Sequence, residues 1–305
     1  KTEIFPGAQV AIVKEGVLIF SGGVGYHTYD RLRAVRSSDL YDLASITKVI
    51  ATTSAVMKLY EKNKIDLDKP VVQYLPEFKG KQKRFYNHKS SITVRNLLTH
   101  TGGLPPFKQY FKMEGTKQTR LESVFNTEPV FGIGDTTLYS DVGLITLGKL
   151  IERVSGISLD LFVDSLVFEP LGMSSTLYRP PNEKLHRIVP TEISPEGQLI
   201  HGFVHDENAH SLGGIAGHAG LFSTAKDLSR FSQMMLNKGI YGWTRIFKPE
   251  TVELFTQRSN VVDGSSRCLG WDSPSGEASG GVYLGDSSFG HTGFTGTSLW
   301  IDPEN

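Results

Sequence analysis

An α/β architecture of two lobes flanking a cleft follows from three observations on this 305-residue sequence. Strand-like runs occur at both chain ends, at 8–13, 17–20 and 297–301. The stretch 65–205 between them is patterned mainly as helices joined by loops. No internal repeat, heptad seam or low-complexity tract breaks that pattern, so a solenoid or coiled coil is excluded. One antiparallel sheet built from both termini, with a mainly helical lobe inserted beside it, satisfies all three.

The elements follow in order. Ala8 to Val13 and Val17 to Phe20 are rich in β-branched and aromatic residues around a Lys14-Glu15-Gly16 turn, which predicts a hairpin ending at a glycine-rich stop, Gly22-Gly23-Val24-Gly25. From Ser45 to Asn63, Ile46, Val49, Ile50, Val56 and Leu59 recur at helical spacing, and the small residues at 51–55 predict close packing on several sides. Thr93 is placed to cap a short helix over 94–99, stopped by Gly102-Gly103 and Pro105-Pro106. Ser140 or Asp141 opens a longer helix ending at Ser155-Gly156, and Ser158 caps one that ends near Pro170-Leu171-Gly172. Thr224 caps a helix to about Asn237, and Pro249 starts another. The last strand runs through Thr297 to Ile301, followed by an Asp302-Pro303-Glu304-Asn305 turn.

Composition removes several functions. The 32 basic and 32 acidic side chains cancel, which leaves no electrostatic case for nucleic acid or anionic lipid. One cysteine, Cys268, cannot build a disulfide framework or a cysteine-rich zinc site, and without a local base it reads as a small buried hydrophobe. No apolar run approaches the ~20 residues of a membrane-spanning helix. The chain starts at Lys1, which reads as a trimmed N-terminus.

Chemistry concentrates in three segments. In Ser45-Ile46-Thr47-Lys48, positions i and i+3 share a helix face, so the lysine ammonium can reach the serine hydroxyl. A serine alcohol needs an adjacent base, and a lysine serves only if burial or positive neighbours lower its pKa. The helix start adds free amides suited to an oxyanion. Alone the motif is weak, and a capping serine followed by a solvated lysine explains it better. Tyr139-Ser140-Asp141 then stands where a loop enters a helix, and His291-Thr292-Gly293 directly precedes the last strand. Together the three form the signature of the serine β-lactamases and penicillin-binding proteins.

The chain resembles the class C β-lactamase-like serine hydrolases, which include D-alanyl-D-alanine carboxypeptidases, D-aminopeptidases and carboxylesterases. The likeness also covers Asp42 to Lys48, Ile92 to Pro105, Pro170 to Met173 and Gly220 to Leu228. Gly217 to Gly220 and Tyr26 to Tyr29 are most similar to a bacterial subgroup sometimes attached to a family 3 glycoside hydrolase domain. The resemblance implies one β-lactamase/transpeptidase-like catalytic domain over 1–305, with an α/β lobe at about 1–60 and 211–305 and a helical lobe at about 61–210. It implies Ser45 as the acylated nucleophile, Lys48 as its hydrogen-bonded partner and Tyr139 as the proton shuttle. It further implies an oxyanion hole from the amides of Ser45 and Phe294, with Asp141, His291, Thr292 and Gly293 facing substrate. No cofactor is implied. The substrate would be a small molecule or a peptidoglycan-derived fragment, met in a periplasmic or extracellular setting. The family continues with a further strand and a C-terminal helix, so an extension beyond Asn305, or a strand from another chain, is expected, as is a possible attached glycoside hydrolase domain.

Two positions depart from the best-known pattern. Asp141 stands where β-lactamases place asparagine, and an ionised aspartate cannot donate to a substrate carbonyl. His291 replaces lysine, so a permanent charge toward a substrate carboxylate becomes partial at neutral pH. Both favour esters, small amides or substrates with a free amine. Two rival readings stand beside this one. His201, His205, His210 and His218, with Asp206 and Glu207 among them, could form a metallohydrolase site if they converged, although a hydrogen-bonded loop rimming the cleft explains them more simply. The fold could also serve as a non-catalytic sensor or scaffold. Trp243, Trp271 and Trp300 read as core or cleft-wall residues, and Lys81, Lys83, Arg84 and Lys89 as a solvated basic loop.

Overall fold

The computed structural model describes residues 4–79, 88–194, 196–274 and 280–304. β1 (Gly7–Lys14) and β2 (Val17–Gly25) form the expected antiparallel hairpin. β2 does not stop at its glycines: Gly22, Gly23 and Gly25 pair with Val10, Gln9 and Gly7. The ladder uses only backbone groups, so a partner strand overrides the weak local preference of glycine for extended structure. Gln9 ties the hairpin down. Its side-chain amide donates to Asp39 O at 2.7 Å, and its carbonyl accepts from Ala225 N at 3.0 Å.

β3 (Tyr41–Asp42) leads into the Ser45 turn, a π-helical stretch Lys48–Thr53 and α1 (Ser54–Glu61). Every residue from 48 to 57 in this run is buried, as the small-residue pattern predicted. α2 (Val94–Leu98) starts at Thr93, where a complete capping box with Asn96 satisfies the end amides. α3 (Lys117–Phe125) precedes α4 (Asp141–Ser155), which is capped by the Ser140 side chain and closed by Gly156 in the left-handed conformation. α5 (Leu159–Val163) continues as a π-helical turn to Phe168.

A small sheet beneath the site has the order β3-β7-β4, with β7 (Leu221–Ser223) between β3 and β4 (Leu177–Tyr178). β5 (Glu192–Ile193) and β6 (Leu199–Ile200) form a short hairpin, followed by α6 (Glu207–Ser211). α7 (Ala225–Leu236) begins at the Thr224 cap, and α8 (Pro249–Thr256) begins with proline in its first turn. Between these two helices lies the hairpin of β8 (Ile240–Tyr241) and β9 (Thr244–Arg245). β10 (Phe289–Thr292) pairs with β11 (Ser298–Ile301).

Strands from both ends are thus present, but among the described residues the β1–β2 and β10–β11 hairpins form separate ladders. β1, α7 and β11 instead line an open cleft of about 1210 Å³. The core is one continuous cluster that runs from the Leu43–Leu59 segment through α2 and α4 to α7, α8 and Trp271.

Two sequence expectations change. Lys89 is fully buried rather than solvated; its ammonium donates to Phe125 O and to Thr127 O at 2.6 Å and lies over the Phe78 ring. Burial lowers its pKa to about 8. Lys81, Lys83 and Arg84 lie outside the described residues. Trp271 is core, but Trp243 is fully exposed, because it sits in the two-residue turn of the β8–β9 hairpin. Among the described residues no helix is long and apolar enough to cross a membrane.

Candidate active site

The nucleophile turn is built by Asp42. Its Oδ1 accepts from Ala44 N at 2.9 Å and its Oδ2 from His205 N at 2.7 Å. Burial pushes this carboxyl up to about 6. Ala44 adopts φ +45°, a left-handed conformation costly for alanine, and this turns the chain so that Ser45 precedes the helix. The loop after β10 is fastened to the same turn: Thr295 Oγ1 donates to Asp42 O at 2.7 Å and Thr297 Oγ1 to Leu43 O at 2.9 Å. Gly293 lies in that joint, where a Cβ would come within 2.5 Å of Leu43 O and overlap Thr297. Among the described residues the amides of Ser45 and Phe294 have no acceptor within the chain, as a pair of oxyanion donors requires.

Lys48 is buried, and its ammonium has four polar neighbours, the Tyr139 hydroxyl among them. It donates to Ser45 Oγ at 2.8 Å and to His218 O at 3.0 Å, and it pairs with Asp141 Oδ1 at 2.7 Å. Burial works to lower its pKa, but Tyr139 and Asp141 outweigh it and the net shift is upward. The contact with Asp141 thus favours the ammonium form of Lys48. Asp141, expected to face the substrate, is occupied on the lysine side by this ion pair.

Tyr139 is held from four sides. Its ring centre is 4.7 Å from the His100 ring, 5.8 Å from the His291 ring, 4.9 Å from Lys48 Nζ and 5.3 Å from the Arg267 guanidinium carbon. His100 is buried at φ +58°, and its Nδ1 accepts from Ser140 N at 3.1 Å, which places its proton on Nε2. His291 differs from its expected role. Its Nδ1 donates to Thr292 O at 2.7 Å, leaving a buried Nε2 lone pair without a partner. Burial, with Lys48 and Arg267 nearby, lowers its pKa to about 3, so at neutral pH it bears no charge for a carboxylate. Thr292 and Gly293 are partly exposed beside it, and Phe294 is 85% exposed at the rim.

Histidines 201, 205, 210 and 218 do not converge. His201 donates to Ile188 O at 2.9 Å, His205 pairs with Glu192, His210 lies against Phe203, and His218 pairs with Asp206 at 2.8 Å. Among the described residues no three His, Cys, Asp or Glu side chains group to hold a metal ion. His218 has a different place. Its ring is anchored by Asp206, and its carbonyl holds Lys48. Sequence reading missed this, along with His100 and Arg267, because each reaches the site through contacts distant in sequence. The Ile92–Pro105 segment was the available signal for His100. Cys268 is buried, donates to Thr256 O at 3.0 Å, and has its pKa raised to about 12 by burial, so it is an inert thiol.

Ser45 thus stands beside a buried lysine that also contacts the Tyr139 ring, with two amides that have no acceptor in the chain among the described residues. Residues 2–305 match the Beta-lactamase family, and the chain belongs to that family of serine hydrolases. A Salmonella heidelberg protein named as a D-alanyl-D-alanine carboxypeptidase is 34% identical over 99% of this chain and 77% of its own length. The fold is shared with a hydrolase having promiscuous acyltransferase activity, at TM-score 0.79 and 21% identity, covering 98% of this chain and 86% of that one. It is shared too with the class C β-lactamase of Rhodobacter sphaeroides, at TM-score 0.74 and 18% identity, over 98% and 86%. A penicillin-binding protein homologue from Pyrococcus abyssi matches at TM-score 0.76 and 23% identity, over 98% and 67%.

Proposed function

We propose that the enzyme hydrolyses small esters and amides through an acyl-enzyme on Ser45, with Tyr139 moving the proton. The observation that carries this reading is the raised, fully engaged Lys48 ammonium beside Ser45, which leaves Tyr139 as the base. Tyr139, as phenolate, takes the Ser45 hydroxyl proton while Oγ attacks the carbonyl carbon. The oxyanion forms against the Ser45 and Phe294 amides, and loss of one such donor costs roughly 3–4 kcal/mol in a comparable reaction. Tyr139 then protonates the departing oxygen or nitrogen. Water repeats the sequence on the acyl-enzyme, with Tyr139 again the base and Ser45 the leaving group.

Substrate preference follows from charge. A neutral His291 and an anionic Asp141 offer nothing to a carboxylate, and they favour acyl donors that are neutral or carry an amine. A second reading, cleavage of D-alanyl-D-alanine peptides, is favoured by the 34%-identical carboxypeptidase-named relative. Parallel assays with p-nitrophenyl butyrate, nitrocefin and a D-Ala-D-Ala peptide separate these. The ester should be the best substrate, and a clear preference for the peptide would replace the first reading by the second. Ser45→Ala should abolish ester turnover and phosphonate labelling, and undiminished turnover would end both.

A further inference from the structure

We propose that Arg267 is a positioning residue for the base, acting through the Tyr139 ring to favour its phenolate and offset the negative charge that Asp141 brings to the site. The proposal rests on Tyr139 being the base, as argued above. Its starting point is an anomaly. The Arg267 guanidinium carbon lies 5.3 Å from the Tyr139 ring centre, and its Nη1 is buried with no hydrogen-bond acceptor. Its nearest counter-ion, Asp272, is 3.7 Å from Nη2, and one oxygen of that carboxylate already accepts from Ser266 Oγ at 2.6 Å and from Ser273 N. A largely buried guanidinium with one nitrogen lacking an acceptor and its counter-ion held at a distance is unfavourable unless something else answers its charge. The π face of Tyr139 does so at rest, and the phenolate does so more strongly.

The backbone places the guanidinium deliberately close to the reacting groups. Arg267 and Asp272 face each other across a bridge, and Asp272 exchanges two hydrogen bonds with Gly290, next to His291 on β10. On the other side Thr137 Oγ1 donates to Ser265 Oγ at 2.9 Å, joining the Arg267 segment to the Tyr139 loop. The charges around Tyr139 then balance in a specific way. Lys48, from the nucleophile helix, is neutralised by Asp141 at the start of α4. His100, after α2, and His291, on β10, are both pushed down, by burial first and then by Arg267 and Lys48, and are neutral. Arg267, whose Asp272 counter-ion stands off at 3.7 Å, adds a second cation against the Tyr139 ring. Lys48 also contacts Tyr139, but Asp141 shares its charge, and Arg267 on the ring adds to what is left for the phenolate.

The test is the pH dependence of kcat/KM for the neutral ester p-nitrophenyl acetate. Arg267→Met should move the acidic limb upward by about one pH unit, the scale of an opposite charge removed at this distance. Rate should fall about tenfold below the limb and largely recover on the alkaline plateau, with Arg267→Lys lying between. The Tyr139 ¹³Cζ resonance, assigned by its loss in Tyr139→Phe, should titrate at higher pH in Arg267→Met. An unmoved limb with an equal rate loss at every pH would reduce Arg267 to a structural role. A loss confined to carboxylate-bearing substrates would make it an anion receptor instead, and either result overturns the proposal. If the limb persists in Tyr139→Phe, the underlying reading of Tyr139 fails, whatever Arg267 does.

Discussion

Lys48 is almost wholly buried, and an ammonium there is tolerated only where fixed acceptors replace water. Ser45 Oγ and His218 O are neutral acceptors, so Asp141 supplies the carboxylate that answers this charge. Removing one partner of a buried pair typically costs about 3–5 kcal/mol. Because the Asp141 side chain is one-fifth exposed, Asp141→Ala should cost about 3 kcal/mol, the lower end of that range. Asp141→Asn should cost clearly less, since its carbonyl still accepts. Urea unfolding of both variants checks this, and equal losses would show that the ion pair is not the source. The same pair accounts for what sequence left open. Serine, lysine and tyrosine were legible as a triplet because their spacing within motifs is local. Tyr139 as the base was implied only by the resemblance, since the residues alone did not show that Lys48 meets a carboxylate 93 positions away, a separation read from the numbering.

Among the elements, the 217–218 strip sets the position of the nucleophile helix. Thr52 Oγ1 donates to Gly217 O at 2.6 Å, and α4 packs on the strip's other side, where a Cβ on Gly217 would overlap Leu144 O and lie 2.9 Å from Gly148 N. Gly217→Ala should therefore push the strip away from α4 at about 1–3 kcal/mol, the usual scale of overpacking. Since His218 O holds Lys48, acylation should slow beyond what the fall in Tm accounts for. A Tm loss with unchanged acylation would separate the strip from the chemistry. Element starts were legible at Thr93, Ser140 and Thr224, where a side chain caps its own helix, but not at Thr116 and Asp206, which cap α3 and α6 in the same way. The glycine run of β2, the buried Lys89 and the exposed Trp243 were not, because a partner strand, distant carbonyls and a hairpin turn override local composition.

Across the whole molecule, the buried titratable groups couple stability to acid. His291 has a folded pKa of about 3, below the ordinary 6.5, and His100 is also held well below its usual value. A depressed folded pKa contributes stability that is present above 6.5 and lost as pH falls toward the folded value. Below 6.5 each imidazole therefore costs roughly 1.4 kcal/mol per pH unit as the unfolded chain takes up its proton. Asp42 works in the opposite direction, for its folded pKa is raised to about 6 and the folded state binds a proton between about 6 and 3.8. In that window Asp42 offsets about one of the two histidines. The wild-type protein should thus lose stability between pH 6 and 4.5 with a net slope near that of a single buried imidazole. His291→Gln removes one contribution and should leave the slope close to zero, while Asp42→Asn should make it roughly twice as steep. Urea unfolding at half-unit pH steps reads both slopes directly. Parallel curves for the wild type and His291→Gln would mean that His291 titrates normally in the folded state and can, after all, present a charge to substrate.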